Sequence, residues 1–132
     1  MICLAIESTA HTFSVGIIKD NKILAEAKDM YTTEKGGIIP IEAAKHHDRI
    51  KEKLLEDALK QANIKFNDID LIAVSSGPGL APCLLVGLKF AKELAKKYNK
   101  PLIPVNHIVG HLEIGKLLTE AKDPVYVFVS GA

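Results

Sequence analysis

The stretch IDLIAVSSGPGLAPCLLVGLKFAKELAKKYNKPLIPV, residues 69–105, decides the fold. Residues 69–74 form an apolar run broken only by Asp70, the pattern of a buried strand. Residues 75–82 hold Gly77, Pro78, Gly79 and Pro82 and form a loop. Over 83–98, Leu84, Leu88, Ala91 and Leu94 or Ala95 recur at helical spacing, and 101–105 form a second short strand. A strand–helix–strand unit of this kind lays its strands parallel in one sheet with the helix across a face.

Working outward, residues 2–6, 12–19 and 22–29 predict three strands, the last two joined as a hairpin by the turn pair Asp20-Asn21. Gly36-Gly37 opens a loop, and Pro40 is suited to the first helical position. From there to about Asn63, Ala43, His47, Ile50, Leu54, Ala58 and Ala62 mark one apolar face of a long helix. After residue 105 a third helix is expected over 108–121 and a last strand over 125–129. The predicted class is α/β, in the order βββαβαβα plus a last strand: a mixed sheet with helices on its faces. A terminal strand running into a glycine turn at Ser130-Gly131-Ala132 reads as part of a larger enzyme.

Composition narrows the function classes. With 132 residues, 48% hydrophobic and 25% charged, the chain is one globular domain rather than a disordered segment. A chain of this size buries about two-thirds of its unfolded surface, so a core without disulfides suffices. The net charge of +1, with Arg49 as the sole arginine, gives no global signature of a nucleic-acid binder, although a local basic patch stays open. Cys3 and Cys83 lack metal-type spacing, no signal peptide is evident, and no window approaches a membrane span. The expectation is reduced thiols, a cytoplasmic protein and no membrane.

His107-Ile-Val-Gly-His111 is the sharpest motif. Two histidines four apart on a helix share a face and are close enough to share one metal. Two ordinary histidines near a helix start have the same spacing. The zincin pattern needs Glu directly after the first His, and Ile108 stands there, so that peptidase chemistry has no support. His46 and His47 point about 100° apart on the long helix and cannot share a face, and His47 falls on the apolar stripe as a core residue.

Glu7-Ser8-Thr9 ends the first strand, where hydroxyls either face a phosphate or cap a turn. Ser75-Ser-Gly-Pro-Gly-Leu80 joins strand to helix, where backbone amides hold an anion or simply turn the chain. It lacks the Lys-Ser/Thr ending of a P-loop. The small-residue turn Val129-Ser130-Gly131-Ala132 has similar capacity. Gly87 inside the second helix costs about 1 kcal/mol relative to Ala, which a close helix–strand approach justifies.

Taken together and in order, several pieces resemble the universal tRNA threonylcarbamoyladenosine transferases, formerly described as O-sialoglycoprotein endopeptidases. They are Ile6-Glu-Ser-Thr9, Gly36-Gly-Ile-Ile-Pro40, Ala43-Ala-Lys-His-His47, Gly77-Pro-Gly-Leu80, Leu84-Leu-Val-Gly87, Asn106-His-Ile-Val-Gly-His111 and Val129-Ser-Gly131. The resemblance implies an actin-like ATPase (ribonuclease H-like) lobe, residues 1–132 being the N-terminal lobe of a two-lobed enzyme. It implies one divalent metal, iron or zinc, on His107 and His111. It further implies that Glu7, Ser8, Thr9, Phe128, Val129, Ser130, Gly131 and Ala132 line a site for ATP or threonylcarbamoyl-adenylate. The reaction would move threonylcarbamoyl to the N6 amine of the adenosine beside the anticodon of tRNA.

Archaeal and eukaryotic members work in the KEOPS complex with a small dimerising subunit and a kinase subunit. Phe128 stands where archaeal members carry a Tyr, and Ala132 where members have a second Gly. The family's Asp ligand lies in the second lobe, so the lobe alone is expected to be inactive and, with its docking face open, to self-associate or take a partner. The alternatives are a partner-binding module without activity and a lobe of an ATP-dependent small-molecule kinase of the same superfold.

Overall fold

The computed structural model describes residues 1–34, 36–119 and 121–127. Three strands come first: β1 (Ile2–Glu7), β2 (Thr12–Lys19) and β3 (Lys22–Met30). The long helix α1 (Pro40–Ala62) follows, then β4 (Leu71–Gly77), α2 (Ala81–Tyr98), β5 (Leu102–Asn106) and α3 (His107–Thr119). They build one five-stranded sheet in the order β3-β2-β1-β4-β5. The pairs β1–β2 and β2–β3 are antiparallel, whereas β1–β4 and β4–β5 are parallel. This is the mixed α/β sheet that the hairpin and the two crossovers predict.

Alternation along the strands divides the sheet into two unlike faces. Leu4, Ile6, Phe13, Val15, Ile17, Ala25, Ala27, Ile72 and Val74 point to one side and are buried under α1 and α2. From α1 come Leu54, Leu55 and Ala58, and from α2 come Phe90, Ala91 and Leu94. Phe13 is fully enclosed, with ring neighbours Phe90 at 6.3 Å and His47 at 5.6 Å. Burying a side chain of that size stabilises the fold by about 1.5–3 kcal/mol. His47 lies in this core, as its place on the apolar stripe predicts, and its Nε2 donates to the Ala10 carbonyl at 2.9 Å. Both long helices end on an asparagine in the left-handed region, Asn63 and Asn99, which closes their last turns.

Several boundaries differ from expectation, among them that of α3, which runs His107–Thr119 rather than 108–121. The strand expected at 69–74 is Leu71–Gly77, and just ahead of it Asp70 exchanges bonds with Ile2, its carboxylate accepting the Ile2 amide at 2.6 Å. The loop that follows is correspondingly short, and α2 begins at Ala81. The last strand expected at 125–129 is not present at 125–127. Val125 and Val127 are exposed there, and the Tyr126 hydroxyl donates to the Leu112 carbonyl on α3 at 3.2 Å. An alternating apolar run becomes a strand only where a sheet edge supplies backbone partners. Residues 128 and 129 of that expected strand lie outside the described residues.

Candidate functional site

The second sheet face is built from small side chains. Gly16, Ala5 and Ala73 are direct neighbours across β2, β1 and β4. One pleat repeat further along, Ser14 is paired with Glu7 on β1, and Ser75 follows Val74, the partner of Ile6. Helix α3 lies over part of this face and packs on β4 and β5, leaving a cavity of about 580 Å³ between them. Its floor is Ala5, Gly16 and Ala73; Glu7, Ser14 and Ser75 line one part of it, and His107, His111, Ile114 and Leu118 supply the helix wall.

Local sequence starts α3 where it is needed. Asn106 ends β5, and its Oδ1 accepts the amides of Ile108 at 2.9 Å and Val109 at 3.2 Å. This is side-chain capping of a helix N-terminus, and it makes His107 the first helical residue. His111 then follows one turn later on the same face, as the spacing predicts. The two Nε2 atoms are 3.2 Å apart. Two nitrogen ligands at about 2.0–2.1 Å from one ion, at tetrahedral angles, lie about 3.3 Å apart. The imidazole pair therefore fits a shared divalent ion, and imidazole suits both zinc and iron. Among the described residues no group of three or more His, Cys, Asp or Glu side chains is arranged to hold a metal.

Glu7 stands behind His107. Its Oε2 accepts from His107 Nδ1 at 3.1 Å, and its Oε1 accepts the Thr9 amide at 2.6 Å. The Thr9 Oγ1 lies 3.3 Å from the same Nδ1. Burial pushes the Glu7 carboxyl up, but hydrogen bonds from Ser75, Thr9 and His107 outweigh it and hold the group below the usual range. The carboxylate is thus ionised and surrounded by donors.

The three residues read together as a phosphate-facing turn take different positions. Glu7 reaches the cavity wall. Thr9 is buried, and its carbonyl accepts the Leu80 amide at 2.7 Å, tying the 77–80 loop to the end of β1. Ser8 is completely buried on the opposite side, where its hydroxyl donates to the Cys83 carbonyl of α2 at 3.0 Å. Phe128, Val129, Ser130, Gly131 and Ala132 lie outside the described residues. Sequence reasoning missed Ser75 as a partner of Glu7 and Asn106 as the cap of α3. The second was findable, since Asn directly before an apolar helical run is a start signal.

The sheet order and its helices give the class of fold: actin-like, ribonuclease H-like. YeaZ from Pseudomonas aeruginosa superposes with a TM-score of 0.71 at 17% identity, over 91% of this chain and 50% of that one. RuvC from T. thermophilus, solved in complex with Holliday junction substrate, does so with 0.51 at 16% identity, over 82% and 66%. At such identities the likeness concerns the fold. Sequence comparison is more specific, since the TsaD family profile, tRNA N6-adenosine threonylcarbamoyltransferase, matches residues 22–132. Proteins of that name from Staphylothermus marinus, Saccharolobus islandicus and Thermococcus gammatolerans are 54%, 52% and 53% identical, over 97%, 99% and 99% of this chain. The chain belongs to the tRNA N6-adenosine threonylcarbamoyltransferase family. It spans about 40% of the length of these curated relatives.

Proposed function

We propose that this chain is the first lobe of a two-lobed enzyme that transfers threonylcarbamoyl from its adenylate to the N6 amine of the adenosine beside the anticodon in tRNA. The observation that carries the reading is the pair of Nε2 atoms 3.2 Å apart at the wall of the cavity. His107 and His111 would hold one divalent metal, zinc or iron, with the remaining ligands supplied by the second lobe. Such an ion, when bound, polarises a carbonyl or phosphoryl oxygen. The chain's own part is to hold the imidazoles rigidly and to offer one wall for ATP or threonylcarbamoyl-adenylate. Catalysis needs groups fixed on both sides of the reacting atoms, so the lobe alone is inactive.

The reading includes a cytoplasmic location and KEOPS-type partners, a small dimerising subunit and a kinase subunit. One observation favours a docking role alongside the catalytic one. Ile38, Ile39 and Ile41 at the start of α1 and Leu85 on α2 are exposed, and these helix ends adjoin where the Cys83 thiol meets the Pro40 carbonyl at 3.6 Å. Exposed apolar groups gathered at one place mark interaction surfaces.

The test is a transfer assay on tRNA, read by mass spectrometry of the nucleosides. The chain alone should yield no threonylcarbamoyladenosine, the version continued through a second lobe should yield it, and His107→Ala with His111→Ala should abolish it. Robust transfer by a clean monomer of these 132 residues would overturn the two-lobe account. Full activity of the double-alanine protein would overturn the metal role.

A further inference from the structure

The Glu7 carboxylate is held at the junction of three elements. It sits at the end of β1, accepts the Thr9 amide from the segment that follows, and accepts a hydrogen bond from His107 Nδ1 in the first turn of α3. A carboxylate has no proton to give in this state, so the shared hydrogen in the contact with His107 belongs to the imidazole. A neutral imidazole that donates through Nδ1 has its lone pair on Nε2, and His107 Nε2 is the atom that faces His111.

We infer that Glu7 is a positioning residue, with Thr9 as its anchor: it fixes His107 as the Nδ1–H tautomer and aims the Nε2 lone pair at the space shared with His111. The inference rests on the metal reading above and assigns Glu7 a different task from contacting nucleotide. A histidine ligand with an anionic partner on its other nitrogen is oriented and made more basic toward a metal, and losing that partner weakens binding about 10–100-fold. Glu7 touches neither the ion nor a substrate in this role. The helix geometry explains why a carboxylate from β1 is needed. His107 occupies the first helical position, where no preceding turn exists to pack its ring. Its orientation therefore depends on the strand that faces it.

The experiment follows the histidine rings of the chain by nitrogen-15 NMR, first metal-free and then through a zinc titration. Wild type should show His107 as the Nδ1–H tautomer and weak zinc binding that perturbs His107 and His111 together. Glu7→Gln, which keeps size and removes charge, should weaken zinc binding about 10-fold, and Glu7→Ala should also erase the tautomer preference. Glu7→Asp should restore part of both. Two results overturn the inference alone: His107 protonated at Nε2 in the wild type, or unchanged zinc affinity in both Glu7 variants while His111→Ala abolishes binding. A wild type with the expected tautomer that takes up no zinc overturns the metal reading, and the role of Glu7 falls with it.

Discussion

Gly87 of α2 faces Ser8 at the end of β1 so closely that a Cβ on the glycine would lie 2.2 Å from the serine Oγ and 3.1 Å from its Cβ. The helix therefore crosses the sheet at a distance only glycine permits, and the serine hydroxyl uses that proximity to bond the Cys83 carbonyl. Gly87→Ala gains about 1 kcal/mol of helix propensity and meets overpacking of about 1–3 kcal/mol. A net loss of up to about 2 kcal/mol in urea denaturation is expected. Ser8→Gly in the same chain should recover part of it, and strictly additive effects in that double-mutant cycle would contradict the contact.

Much of this arrangement is legible in the sequence because it is periodic. The apolar stripe of α1 identified His47 as a core residue, and the four-residue spacing put His107 and His111 on one face. Gly87 is a helix-interior glycine, which calls for a close approach. What spacing does not carry is contact between distant segments. Glu7 and His107 are 100 positions apart, and nothing local in Glu7-Ser8-Thr9 says that the first residue turns to the cavity while the second goes beneath α2. The strand expected at the C-terminal end failed at 125–127 for a related reason, since hydrogen-bonded neighbours decide strands and alternation only permits them.

Gly79 meets a stricter limit than Gly87. A Cβ there would lie 2.6 Å from the Thr9 carbonyl oxygen and 2.8 Å from the Thr9 Cβ, and a backbone atom cannot rotate away. The same carbonyl accepts the Leu80 amide. Gly79→Ala should lower stability by about 1–3 kcal/mol and shift the Thr9 and His107 resonances, because Thr9 links the loop to Glu7. A variant with wild-type melting and unchanged His107 signals would refute the coupling.

His47 gives the core a pH response. Desolvation lowers its pKa below the ordinary histidine value, against the bond to Ala10. Its charged neighbours are His46 and His11, which disfavour protonation, and Asp29, which favours it. The sign follows: the unfolded chain takes up this proton first, so the contribution is intact above about pH 6.5 and is lost as pH falls toward the depressed folded value. Chemical denaturation at pH 7.5 and at pH 5.5 should give a larger drop for wild type than for His47→Gln. Equal drops would assign the acid response to other groups.

The exposed isoleucines and Leu85 make the docking reading testable without touching the histidine site. Ile41 is 62% and Leu85 65% exposed, so replacing them leaves the buried core intact. Surface changes of this kind stay within about 0.5 kcal/mol of wild-type stability. If this end of α1 and α2 is a docking face, the wild-type chain should elute above monomer size alone, or join a small dimerising subunit when mixed with it. A charge placed in an apolar contact must be desolvated without a partner, which is costly enough to break a modest interface. Ile41→Asp with Leu85→Asp should therefore shift both populations to monomer in size-exclusion chromatography while the melting curve stays unchanged. Association that survives both substitutions would move the interface elsewhere, and the apolar wall of α3, with Ile114 and Leu118 exposed, would be the next surface to charge.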